Sequence, residues 1–189
     1  MNLLIIDNYD SFTYNLVQLI KQCGVTGFDI VKNDKLLNLS KPYDKILISP
    51  GPGIAAEAGQ LMEFLRQNHT SSSILGICLG QEAVVELFGG KHKKLVHPLH
   101  GYRNKASIAN QHYIFKNLPV TFGIGHYHSW YVDEQSLPDA LEVLVRDEQN
   151  LIMGVTHKRF DVTGLLFHPE SVMTDFGREM IGNWVNTHR

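Results

Sequence analysis

The stretch "ILGICLGQEAVVELFGG", residues 74–90, decides the fold. Its opening, within "SILGIC", is a short apolar strand, and "LGQEAVVELF" continues as a helix that Gly89-Gly90 stops. Cys78 sits at the junction, in Gly76-Ile77-Cys78-Leu79-Gly80, the cysteine analogue of the G-x-S-x-G nucleophile elbow. Glycines at those two positions let strand and helix backbones approach without a Cβ between them. The helix N-terminus beyond supplies free N–H groups and positive potential that favour a thiolate. A lone cysteine ending a core strand is ordinarily a packing residue; the paired glycines turn the reading to a nucleophile. Cys23 has no such setting and reads as helix packing.

On the N-terminal side the same strand-then-helix rhythm repeats. "LLIID" (Leu3–Asp7) is a buried strand, and "TYNLVQLIKQCG" places Leu16, Leu19 and Ile20 at helical spacing before a glycine stop. "FDIVKN" and "KILISPGPG" read as strands, the second running into a glycine-proline loop, and "AGQLMEFLRQ" as a helix. Alternation of this kind builds right-handed βαβ units and a mostly parallel sheet. On the C-terminal side the texture changes. "YRNKASIA", "QHYIFKN", "VTFGIGHYHSWYV", "LEVLVRD", "LIMGVTH" and "VTGLLFHPE" are strand-like, and "DFGREMIGNWVNTH" closes as an amphipathic helix. The expected fold is α/β: an open, mostly parallel sheet flanked by helices, with additional strands in the second half. One domain over residues 1–189 is expected, with no repeat or linker.

Bulk properties exclude several function classes. Of the 189 residues, 43% are hydrophobic and 19% charged, which is ordinary for a globular protein. A formal charge of −2, with no basic run longer than Lys93-Lys94, argues against nucleic acid. No apolar stretch reaches the roughly 20 residues that span a bilayer, and "MNLLIID" enters a strand without a basic leader. Two cysteines in unlike contexts argue against a disulfide framework. A cytoplasmic protein is expected.

A thiol nucleophile needs a base and a group to orient it. "FHPES" offers His168 and Glu170. The residue before proline is extended, so these two side chains project to the same side. "SPGPG", Ser49 to Gly53, presents backbone N–H groups between glycines, as an oxyanion hole requires. Parallel sheets gather ligands at the carboxyl ends of their strands, where all these loops fall. The remaining histidines make no tight spacing with Cys, Asp or Glu on one element, so no metal is expected.

The cysteine elbow, the PGPG loop and the HPE triplet, in this order, resemble the class I, triad-type glutamine amidotransferases. "DNYDSFTYNL" narrows the resemblance to the small glutaminase subunits of anthranilate synthase and aminodeoxychorismate synthase. The resemblance covers essentially the whole chain. It implies that Cys78 attacks the side-chain amide of L-glutamine and forms a glutamyl thioester. The N–H groups of Leu79 and Gly53 would hold the oxyanion, with His168 as acid and base and Glu170 orienting it. Gly51, Pro52 and Gly53 would line the glutamine site, and the backbone of Ser129 and Trp130 would grip its α-carboxylate and α-amino groups. Ammonia would pass to a larger, chorismate-binding synthase subunit, toward which the DNYDS loop would lie. No cofactor is implied for this subunit, the family's magnesium belonging to the partner.

Four positions depart from the family pattern. Gln81-Glu82 replaces a usual His-Gln, His126 stands where an arginine commonly precedes Tyr-His-Ser, and Trp130 replaces a common leucine. Residues three and four beyond Cys78 share nearly one helix face, so Gln81 and Glu82 are both expected to look toward the pocket. Gln81 would take the family glutamine's role and Glu82 would meet the substrate ammonium. Rival readings are a γ-glutamyl hydrolase-type cysteine hydrolase of the same fold and a catalytically weak regulatory subunit.

Overall fold

The computed structural model describes residues 1–187. Strands β1 (Leu3–Asp7), β2 (Phe28–Lys32), β3 (Lys45–Ile48) and β4 (Ser73–Ile77) alternate with helices α1 (Thr13–Gln22) and α2 (Leu61–Asn68). Helix α3 (Leu79–Leu87) follows β4 after a single residue, Cys78. Strands β5 (His92–Ile108), β6 (Thr121–Val132), β7 (Leu141–Asp147), β8 (Ile152–His157) and β9 (Val162–Leu165) precede helix α4 (Gly177–Asn186).

All nine strands join one sheet in the order β2-β1-β3-β4-β9-β8-β7-β5-β6. From β2 through β9 the neighbours are parallel. From β9 outward through β8, β7, β5 and β6 they are antiparallel. The extra strands of the second half therefore extend the parallel sheet from one edge and make the whole sheet mixed.

Strand alternation sends residues to two cores. Leu3, Ile5, Leu47, Leu75 and Ile77 face α1 and α4, where Leu16, Ile20, Met180, Ile181 and Trp184 are buried. Leu4, Ile6, Ile46, Ile48 and Ile74 face α2 and α3, against Leu61, Phe64, Leu65, Val84 and Val85. Burial on both faces explains why β1 reads as an unbroken apolar run.

Two segments differ from expectation. "QHYIFKN" is not a strand; Tyr113–Phe115 form one 3-10 turn. Adjacent Ile114 and Phe115 are both buried, which a turn allows and strand alternation opposes. Strand β5 starts at His92, ten residues before the strand-like "YRNKASIA". Its first part, "HKKLVHPLH", is mostly exposed and carries Pro98, so it shows little apolar periodicity. It pairs along β6 as a long ribbon.

Candidate active site

Cys78 sits at the carboxyl end of β4, beside β9, with φ +52° and ψ −105°. A non-glycine residue in that region is strained, a condition that clusters at functional sites. Two hydrogen bonds hold it there: Cys78 N donates to Leu165 O at 2.8 Å, and Cys78 O accepts from Glu82 N at 3.0 Å. The flanking glycines answer a steric demand. A Cβ on Gly76 would stand 2.3 Å from Gly80 O, and one on Gly80 would stand 2.9 Å from Ile48. The thiol is 7% exposed and caps the positive end of α3.

His168 lies three residues beyond β9, the strand beside β4. Its Nδ1 is 2.7 Å from Glu170 Oε1, and both side chains are buried. The ring is wedged edge-on by Phe12 at 5.4 Å and Tyr127 at 4.9 Å. Thr174 Oγ1 donates to His168 O at 2.6 Å, anchoring the backbone. Burial disfavours the charged ring, but the Glu170 carboxylate and the Cys78 side chain outweigh it, and the pKa is pushed up to about 10. Nε2 makes no directed hydrogen bond, while Cys78 is near enough to act on its protonation. A thiol and an imidazole placed this way need not be tightly aligned to react together.

The PGPG loop follows β3. Gly53 has φ +79°, and Gly51 approaches so closely that a Cβ there would stand 2.6 Å from both Asn8 Cβ and Leu79 Cδ2. Asn8 stitches this loop to the end of β1. Its backbone N donates to Ser49 Oγ at 2.9 Å, its Nδ2 donates to Ser49 O at 2.8 Å, and its Oδ1 accepts from Asn33 Nδ2 at 3.0 Å. Asp7 organises the same turn: one oxygen accepts from Tyr9 N and Thr13 Oγ1, and the other meets Lys32 Nζ at 2.6 Å. The first residues of "DNYDS" are thus buried stitching, while Tyr9 and Tyr14 remain exposed.

The expectation that Gln81 and Glu82 look into one pocket meets a different geometry. Gln81 is fully buried, lies over Gly164 of β9 and has neither amide atom hydrogen-bonded. The 100° step between consecutive helix residues carries Glu82 instead to a cavity of about 310 Å³, with Ile54, Glu86, His92 and Trp130. Desolvation, then the neighbouring Glu86, push the Glu82 carboxyl up to about 8. Ser129 adjoins that cavity through Trp130. Register runs from Lys94↔Trp130 to Leu99↔His128, leaving Ser129 without a ladder partner opposite the bulge at 95–98. A break of this kind interrupts the ladder beside the cavity. Among the described residues no cluster of His, Cys, Asp or Glu could hold a metal.

Sequence reasoning did not single out Asn8, Phe12 or Tyr127 as parts of the site. Asn8 and Phe12 lie in the quoted "DNYDSF", but only the fold shows which of its residues turn inward.

The model of the family described as Glutamine amidotransferase class-I matches residues 4–187. This chain belongs to that family. Among amidotransferase relatives, Anthranilate synthase component 2 of Lactococcus lactis is 43% identical over 188 residues, covering 97% of this chain and 93% of that one. Aminodeoxychorismate/anthranilate synthase component 2 of Bacillus subtilis is 36% identical over 191 residues, covering 99% and 97%. A solved Thermoplasma acidophilum protein matches with TM-score 0.86 at 25% identity, covering 98% of this chain and 92% of that one. The mixed sheet flanked by helices is the architecture this amidotransferase shares with it.

Proposed function

We propose that this glutamine amidotransferase is the glutaminase component of a chorismate-aminating synthase and supplies ammonia to a larger synthase subunit. The observation that carries the chemistry is the strained Cys78 at φ +52°, beside a buried His168–Glu170 pair at 2.7 Å. Cys78 Sγ attacks the side-chain amide carbon of L-glutamine while the N–H groups of Leu79 and Gly53 hold the oxyanion. His168 gives its proton to the departing nitrogen as the C–N bond breaks, leaving a glutamyl thioester. It then takes a proton from water, whose oxygen cleaves the C–S bond and releases glutamate. Glu170 stabilises the imidazolium in both steps.

Gly51, Pro52 and Gly53 line the glutamine site, and the backbone at Ser129 and Trp130, beside the ladder break, grips the α-carboxylate and α-amino groups. Glu82 closes the head-group end. Its carboxyl has no hydrogen-bond partner among the described residues and lines one cavity with Trp130. The relatives' descriptions support anthranilate or aminodeoxychorismate as the partner's product. Exposed Tyr9, Tyr14, Val172 and Phe176 come from the two segments that hold Phe12 and His168, and they support a docking face beside the site.

The test is Cys78→Ser. Glutamine-dependent product formation with the partner is expected to vanish, while ammonium-dependent formation persists. Loss of both would make Cys78 structural, and unchanged glutamine use would remove it from the mechanism.

A further inference from the structure

Behind the ladder break at Ser129 runs a buried chain of polar groups that the glutaminase chemistry does not use. His128 Nδ1 is 2.8 Å from Trp130 O, so it bridges across Ser129. His128 Nε2 is 2.9 Å from His126 Nδ1, and His126 Nε2 is 2.6 Å from Asn104 Oδ1. Asn104 Nδ2 reaches Asp147 Oδ2 at 3.3 Å. His126 is 0% exposed and His128 2%, so water does not complete these contacts. The chain crosses from β6 through β5 to the end of β7.

Counting protons exposes a conflict. Trp130 O and Asn104 Oδ1 are both acceptors, so the outer nitrogen of each ring must carry hydrogen. The contact between the rings needs a third. Two neutral imidazoles hold only two. Turning the Asn104 amide frees His126 Nε2 from donating, but it sets Asn104 Oδ1 against Asp147 Oδ2, and the missing proton is then needed there. Either way the chain closes only with one proton beyond its ordinary complement. Asp147 favours the first arrangement, because its Oδ1 already accepts from Gln149 N and Leu151 N and suits a carboxylate.

We propose that His126 and His128 are positioning residues that share this extra proton and hold the Ser129–Trp130 backbone in shape for the head group of glutamine. The inference rests on the glutaminase reading above and deepens it. With the proton present, the Trp130 carbonyl is drawn inward and the ladder break at Ser129 is stiffened. With it gone, one contact in the chain opposes the others and the break relaxes. Burial, then His126 beside it, push His128 down to about 3, and burial also lowers His126. The network therefore gives up its extra proton below the ordinary histidine range. His168 and His100 oppose it and Asp147 supports it. The Tyr102 ring lies 5.8 Å from His126.

Replacing His126 separates this role from a merely structural one. His126→Phe keeps a planar ring without the contacts, whereas His126→Arg donates to both neighbours at every working pH. The expected result at about pH 5 is a rise of about tenfold in glutamine KM for His126→Phe, with kcat changed less than about threefold. His126→Arg is expected to match the wild-type KM at about pH 5 and to lose the rise in KM expected of wild type as pH climbs from about 5 through the ordinary histidine range. An unchanged KM in folded His126→Phe, or a KM for folded His126→Arg as poor as that of His126→Phe, overturns the proposal. Nitrogen-15 NMR of the wild-type histidines needs neither variant nor substrate. Protonation of both His126 nitrogens at about pH 5 is expected, and a bare nitrogen toward Asn104 with Asp147 ionised overturns it. If wild type instead hydrolyses no glutamine, with or without the partner, the glutaminase reading fails while the NMR result still decides the proton.

Discussion

At Cys78 a residue with a side chain adopts a backbone conformation that costs roughly 1–3 kcal/mol. The strain is sustained because Leu165 O, Glu82 N and two glycines surround it. His168 is held as firmly, and its raised pKa has a sign that can be tested. A ring whose folded pKa exceeds its ordinary value of 6.5 contributes stability fully below that value, and loses it as pH climbs toward about 10. Glu170→Gln removes the main support for the charged ring, so the alkaline limb of kcat/KM is expected to move to lower pH. His168→Asn is expected to cost more in kcat than Glu170→Gln, because it removes the proton carrier itself. A larger loss from Glu170→Gln in steady-state assays would reverse these roles. Glu82 carries the opposite sign. A carboxyl raised to about 8 is neutral at neutral pH, where it donates and accepts hydrogen bonds as an amide would. Glu82→Gln is therefore expected to change kcat/KM less than about tenfold at pH 7 and to outperform wild type above pH 8. Its ionisation also costs stability as pH rises from its ordinary 4.5 through about 8. Thermal unfolding is expected to show Glu82→Gln stabilised by roughly 1–3 kcal/mol at alkaline pH and little changed near pH 5.

Between elements, the stitch from β1 to the PGPG loop is the contact most exposed to a single substitution. Asn8→Ala removes the donor to Ser49 O and strands Asn33 Nδ2, both buried, at a cost of about 1–3 kcal/mol. Because Gly51 packs directly on Asn8, the loss is expected to appear in kcat more than in glutamine KM, and in a lower melting temperature. An unchanged kcat would free the oxyanion loop from this support. The same scale explains what was legible in the sequence. Cys78, His168 and Glu170 each lie in a local motif whose geometry depends on a few adjacent residues. Strands β1, β4 and β7 were equally plain, because burial on one or both faces imprints a period on their own residues. Gln81 and Glu82 were harder, since one helical step separates a core position over Gly164 from the cavity wall, and that contact comes from β9. The opening of β5 was hidden by its exposure. The His126–His128–Asn104–Asp147 chain was invisible, because it exists only through the register of three strands.

Across the whole molecule, the loop after β1 joins three jobs. Asn8 holds the PGPG loop, Phe12 packs on His168, and Tyr9 and Tyr14 face solvent. A subunit docked on those tyrosines touches a segment already coupled to both halves of the catalytic apparatus. The isolated chain is accordingly expected to hydrolyse glutamine slowly, and the synthase subunit with chorismate to accelerate it. Equal rates with and without the partner would show that docking and turnover are uncoupled.

The position of β9 has a further consequence in time. It lies between β4 and β8, so the parallel and antiparallel halves of the sheet have no direct edge in common until it is inserted. As the chain emerges from the ribosome, β4 and Cys78 appear long before β9 and His168 do. Long-range pairings of this kind close late. On the proposed mechanism, the nascent polypeptide carries its thiol without a base through most of synthesis, and it is armed only when its final strand slides home. Delayed arming spares the cell an unpartnered fragment that would consume glutamine.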